Sequence, residues 1–167
     1  MREQLTESDI RKIKEEIEHR RLVVRKEAIE AVKEARAHGD LSENFEYHAA
    51  KKDKNKNESR IRYLERMLKT AVVVSDKSED GVAGLNNRIT VYFPEDDMEE
   101  TYKLVTSIRG NSLGGYISTE SPLGKAVFGH REGETVHVKV SEDYSYPVVI
   151  RSIENTNDDE TDRIRGF

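Results

Sequence analysis

From Thr6 to Ala37 the chain runs without a proline or a glycine, and apolar residues recur at Ile10, Ile13, Ile17, Val24, Ala28, Ala31 and Ala35. A spacing of three and four marks one face of an α-helix. About thirty helical residues at 1.5 Å each make a rod of roughly 45 Å, and no small core can surround it. Its apolar stripe therefore requires a second helix. The next segment supplies one: Tyr47, Ala50, Ile61, Leu64, Leu68 and Ala71 keep the spacing, with Lys54 and Asn57 interrupting it. A short connection around His38-Gly39-Asp40-Leu41 makes the helices antiparallel neighbours, and alanines near the turn allow close approach. The seam should be thin at the turn and thicker at the far end.

After Ala71 the period changes to two. Ile89/Val91/Phe93, Tyr102/Leu104/Thr106/Ile108, Val136/Val138/Val140 and Tyr146/Val148/Ile150 alternate with polar neighbours, the pattern of half-buried strands. Pro94-Glu95-Asp96-Asp97 separates the first two as a hairpin turn. Ser121-Pro122 offers the N-cap and first residue of a short helix that runs to about Phe128 and stops at Gly129. The expected fold class is α+β, an N-terminal antiparallel coiled-coil hairpin followed by a C-terminal β-sheet domain with a short helix. The expected boundaries are a coiled-coil finger over 1–75, a linker over 76–84, the sheet domain over 85–154 and a polar, fraying tail over 155–167.

Composition bounds the chemistry. Charged residues make up 37% of the 167 and aromatic ones 7%, which suits two modest cores better than one large core. There is no cysteine, so disulfides, thiolate metal sites and cysteine nucleophiles are excluded. No stretch approaches the roughly 18 apolar residues that span a bilayer, and the N-terminus lacks the apolar run of a leader. The expectation is a monomer in the cytoplasm with no membrane partner. Residues 1–75 carry 18 Lys and Arg against 15 Asp and Glu, while residues 76–167 carry 10 against 18. Such an asymmetry suits one half working near nucleic acid and the other meeting a protein, or simply two differently solvated surfaces.

The densest cluster of polar chemistry, His38 to His48, lies where the helices turn. The residues alone allow two readings. Gly39 can end the first helix and Asp40 with Glu43 can open the second as a capping box, their charge also favouring its dipole. Alternatively, two carboxylates at the end of a long rod can be carried into another macromolecule's site. Their oxygens suit Mg²⁺ but cannot fill its shell, so no tight metal site is expected in the isolated protein. His38 and His48 flank them without a ligand set for zinc. Lys51, Lys52, Lys54, Lys56, Arg60, Arg62, Arg66 and Lys69 outnumber the acids of the second helix. They form either a solvated face or a phosphate-binding one.

Residues Ala35–Leu68, ARAHGDLSENFEYHAAKKDKNKNESRIRYLERML, resemble the tip and second helix of the Gre transcript-cleavage factors, with GDLSEN-x-EYHAA the most specific run. At lower similarity, Ile117–Val140 resembles that family's C-terminal FKBP-like domain. The resemblance implies a finger that enters the secondary channel of bacterial RNA polymerase and stimulates cleavage of backtracked RNA by the polymerase itself. It implies that Asp40 and Glu43 help hold an Mg²⁺ shared with the polymerase and orient the attacking water. The cationic surplus of the second helix, with Lys51, Lys52, Lys54 and Arg60, could attract the RNA 3′ segment. Asn44 and Tyr47 of the motif would contact RNA or polymerase at the tip, and by the resemblance Ser121, Pro122 and Leu123 would dock on the polymerase. The chain would then be no enzyme itself.

Three departures stand out. Phe45 replaces a residue that is usually small in the family, Asn86-Asn87 stands where the first strand more often follows glycine, and no proline follows Arg25. A channel-binding modulator without cleavage stimulation is the alternative that Phe45 keeps open. A prolyl isomerase would want an aromatic-lined apolar pocket, for which residues 72–167 offer no Trp and few aromatics.

Overall fold

The computed structural model describes residues 2–39, 44–109, 114–156 and Ile164. Asp40 to Glu43 and nearly all of the expected tail lie outside the described residues. The architecture is α+β, in two compact units: residues 10–71, and residues 1–9 together with 72 onward. No described helix is long and apolar enough to cross a membrane.

The helical unit takes in most of α1 (Glu7–His19), a π-helical segment Arg20–Val24, α2 (Arg25–Arg36) and α3 (Phe45–Thr70). Its helices run antiparallel. The apolar side chains buried away from the turn are Ile13, Ile17, Ile61, Leu64 and Met67, while α2 fully buries only Ala35. The seam is thus thick at one end and thin at the other. One expected position is displaced: Ala31 is exposed and Val32 is half-buried in its place. The π segment closes hydrogen bonds five residues apart and adds a residue to the turn, while Ala28 and Ala35 beyond it keep their expected places. It has a partner across the seam. The Arg20 carbonyl accepts from the Arg25 N–H and from Asn57 Nδ2 at 3.2 Å.

Polar residues fill the middle of this seam. Asn57 Oδ1 accepts from Arg20 at 3.0 Å. Glu16 accepts from Arg20 and from Arg60, each at 2.8 Å. Arg25 grips Glu58 with two bonds of 2.7 and 2.9 Å, and Arg21 meets Glu65. Burial raises the Glu16 carboxyl, but the hydrogen bonds and charges of Arg60 and Arg20 outweigh it, so the group sits below its ordinary value of 4.5. The hydrogen bond from Arg25 lowers Glu58 likewise. A depressed carboxyl contributes stability that is fully present above the unfolded value and is lost as pH falls through the folded one. The hairpin's melting temperature, followed by far-UV circular dichroism, should therefore hold steady above pH 4.5 and drop on further acidification. Glu16→Gln should remove part of that dependence.

The second unit is a five-stranded sheet of order β5-β4-β3-β7-β6, built from β3 (Arg88–Phe93), β4 (Met98–Val105), β5 (Tyr116–Ser118), β6 (Thr135–Lys139) and β7 (Ser145–Glu154). All pairs are antiparallel except β4 with β5. The alternating residues Ile89, Val91, Leu104, Val136, Val138, Val148 and Ile150 form the core, joined by Val127 of α4 (Pro122–Val127). The turn at 94–97 and the helix start at Ser121-Pro122 stand where the sequence puts them.

The unit boundaries differ from a 1–75 finger. β1 (Gln4–Leu5) pairs in parallel with β2 (Val72–Val73), and Leu5, Thr6 and Asp9 are buried within the sheet unit. Segment 76–84 is not a bare linker either. Ala83 belongs to the core, and Ser78 packs so tightly on Gly84 that a Cβ there would lie 2.4 Å from its own.

Candidate functional site: the helix turn and the loop before α4

The described residues on either side of Asp40–Glu43 define how the turn is held. Gly39 closes the first helix at φ +114°, a conformation that favours glycine. Across from it, Asn44 is the N-cap of α3: its Oδ1 accepts the Tyr47 N–H at 3.0 Å, and its Nδ2 donates to the Ala35 carbonyl at 2.6 Å. One side chain thus caps α3 and ties it to the end of α2. The helix opens at Phe45 with Asn44 as its cap, and the expected Asp40–Glu43 capping box lies outside the described residues. The cap recasts Asn44, whose amide is engaged within the hairpin. Asn44→Ala should cost about 1 kcal/mol of hairpin stability, readable as a lowered urea midpoint.

Around the cap, His38 Nδ1 lies 3.0 Å from Glu46 Oε2, and both are exposed. Tyr47 is half-buried under the Arg36 guanidinium, 5.7 Å from the ring centroid, with the His48 ring 5.4 Å away. The hydrogen bond with Arg36 comes first among the causes that lower the Tyr47 phenol below its ordinary value, aided by Lys51. Phe45 has no such cover: it is 86% exposed.

Lys51 and Lys52 are exposed and Lys54 is half-buried along α3. Arg60 does not belong with them. It is 3% exposed, paired with Glu16 across the seam and set over the Tyr63 ring at 5.4 Å, so its charge is spent inside the hairpin. The expectation that it touches RNA is corrected. A sequence-level charge count could not reveal this, since Glu16 lies 44 positions away.

In the sheet unit, Ser121 caps α4, accepting from the Gly124 N–H at 3.1 Å and donating to the Ser118 carbonyl at 2.6 Å. Pro122 is exposed and Leu123 packs half-buried on the core. Gly124 is sterically required, because a Cβ there would lie 1.8 Å from the Ser118 oxygen. Among the described residues, no three His, Asp or Glu side chains gather as a metal-binding set.

This arrangement has relatives. Residues 3–73 match the family described as "Transcription elongation factor, N-terminal", and residues 77–155 match "Transcription elongation factor, GreA/GreB, C-term". A Transcription elongation factor GreA from Geobacillus kaustophilus is 40% identical over 136 residues, 81% of this chain and 86% of that one. The chain belongs to the GreA/GreB family. A second GreA, from Chloroherpeton thalassium, is 41% identical over 81% of this chain and 87% of its own length. A crystal structure of GreA factor homolog 1 (Gfh1) of Thermus thermophilus aligns over 93% of this chain and all of that one, at 25% identity and a TM-score of 0.43. As a GreA/GreB member the chain is a transcription elongation factor.

Proposed function

We propose that the chain binds bacterial RNA polymerase in the cytoplasm, carries the 40–43 turn into the secondary channel and stimulates the polymerase's cleavage of backtracked RNA. The observation that supports this reading most is the pairing of Asp40 and Glu43 with a turn anchored by Asn44, in a chain of the GreA/GreB family. Anchoring holds together the two helix ends that flank the carboxylates, so the support that carries them into a foreign site is braced before binding.

Asp40 and Glu43 offer hard carboxylate oxygens, which suit Mg²⁺ but fall short of its six positions, so the polymerase must complete the set. When bound there, Mg²⁺ would supply stabilisation of the negative charge that develops on the phosphate. The protein's own contribution is to accept a hydrogen bond from the attacking water at a carboxylate oxygen and so orient it toward phosphorus. Lys51 and Lys52, with Lys54 behind them, face the RNA phosphates, and Tyr47 borders the tip. Ser121, Pro122 and Leu123 meet the polymerase through a loop fixed by the Ser121 cap. The chain lends groups to a foreign active site and is not itself an enzyme.

A stalled, backtracked polymerase complex incubated with the protein tests the proposal: RNA shortened from its 3′ end is expected. Slowed elongation without shortening would favour a second reading, a modulator that occupies the channel. The exposed ring of Phe45 is the feature that favours that reading, since an apolar contact can hold the tip without positioning water.

A further inference from the structure

The core face of the sheet continues beyond the part that α4 covers. α4 lies over β5 and β6, while β3 and β7 carry their apolar rows onward to the end of the sheet where the 94–97 and 140–144 turns sit side by side. By alternation Phe93 follows Ile89 and Val91, Met98 pairs with Phe93, and Tyr146 pairs with Val138. Val140 and Tyr144 close the second hairpin, the Val140 N–H donating to the Tyr144 carbonyl at 3.0 Å. Phe93 stands 6.2 Å from Tyr146, and Tyr146 stands 6.2 Å from Tyr144. The outer members of this ledge are open to solvent: Met98 is 45%, Val140 55% and Tyr144 52% exposed.

Acid surrounds the ledge. Glu100 shares the ledge's face, Glu95 and Asp96 lie in the first turn and Glu142 and Asp143 in the second, whereas Asp97, Glu99 and Lys139 belong to the opposite face with Tyr92 and Arg151. A rim of this sign repels RNA, DNA and anionic membranes, and it attracts cationic protein surface. Exposed Tyr and Met at the centre with charge at the edge is the layout of a protein interface, in which aromatic anchors supply affinity and the rim supplies steering and selection.

We propose that this end of the sheet is a second docking surface, whose occupant is a basic protein segment that presents apolar side chains, such as an amphipathic helix with Lys or Arg beside Leu. The surface is distinct from Ser121–Leu123: β5 runs parallel to β4, away from the 94–97 turn, and leads into α4 at the opposite end of the sheet. The proposal stands independently of the cleavage reading.

The test uses the full chain, labelled with ¹⁵N and titrated with a synthetic amphipathic helix bearing Leu on one face and Lys on the other. Saturable shifts centred on Phe93, Met98, Val140, Tyr144 and Tyr146 are expected. Tyr144→Ser, and separately Glu142→Lys with Asp143→Lys, should each weaken binding roughly tenfold or more, whereas Ser121→Ala should not. Val140→Ser provides a second apolar variant, and unchanged spectra away from the patch would establish that each variant is folded. Three results would overturn the proposal: equal binding of a Leu→Ser peptide, equal binding of a Lys→Glu peptide, or wild-type affinity in both Tyr144→Ser and Val140→Ser. A concentration-dependent dimer in sedimentation equilibrium that Tyr144→Ser abolishes would also overturn it, by making the occupant a second copy of this chain.

Discussion

Asp40→Ala and Glu43→Ala are each expected to lower stimulated RNA cleavage by about 100-fold or more, the scale lost when a group that handles the attacking water is removed, while binding to polymerase changes little. The structure sharpens what else should happen. Asn44 performs the capping of α3 and the tie to α2, and with that cap left in place both variants should melt close to the wild-type temperature. Asn44→Ala should show the converse, a less stable hairpin with the two carboxylates intact. Asp40→Asn separates charge from size: it keeps the volume and a hydrogen-bonding oxygen, yet should lose nearly as much cleavage as Ala. Cleavage per bound complex and thermal midpoint, measured on the same preparations, decide the matter. Wild-type cleavage per complex in both alanine variants, with binding lost, would refute the proposed role of the tip.

How far the sequence foretold this chain depends on how local each determinant is. Long helices announce themselves by period, and the hairpin is legible from Ile13, Ile17, Ile61 and Leu64 alone. The misplacement of Ala31 is a matter of spacing, since three-then-four and four-then-three steps both join Ala28 to Ala35, and the larger Val32 is the one half-buried. Strands of five or more residues show their alternation. β1 and β2, with two residues each, and β5, with three, are too short to carry a period. Polar residues were harder still. Arg60 reads as a surface cation in a linear charge count, but folding places Glu16 against it. Asn44 reads as a tip contact, but its amide matches the geometry of an N-cap, a role open to any Asn before a helix.

Asn86 shows a departure becoming intelligible. Its φ of 69° lies in the left-handed region, where a glycine costs nothing and an asparagine is tolerated if its side chain is held. Here Nδ2 donates to Asp76 at 3.2 Å, and Oδ1 accepts from Arg109 Nη1 at 2.9 Å. Held in this way, Asn86 links the 76–84 segment to the buried Asp9–Arg109 charge pair.

That pair is where a single substitution should do the most damage to the fold. Asp9 and Arg109 side chains are 0% and 1% exposed, with Oδ1 2.6 Å from Nε. The other carboxylate oxygen accepts from the Thr6 N–H at 3.0 Å and from Thr106 Oγ1 at 2.7 Å, while Thr6 Oγ1 accepts the Asp9 N–H at 3.1 Å. Asp9 thus closes a reciprocal capping box at the start of α1 and neutralises a buried guanidinium. Asp9→Ala removes both and strands the cation away from water, so an unfolding cost of about 3–5 kcal/mol is expected, against a total of roughly 5–15 kcal/mol for a typical domain. Asp9→Asn keeps an oxygen for the Thr6 N–H but removes the charge and sets an N–H donor against the Arg109 guanidinium, so it should fall between Ala and wild type, close to Ala. The double variant Asp9→Leu with Arg109→Met should recover much of the loss, because the penalty of Asp9→Ala is mainly the uncompensated charge and not the missing attraction. Urea denaturation followed by tyrosine fluorescence, all seven tyrosines being available as probes, measures each corner of that cycle. An Asp9→Ala variant within about 1 kcal/mol of wild type, the worth of a cap alone, would mean that the guanidinium finds water or another partner when the carboxylate is gone.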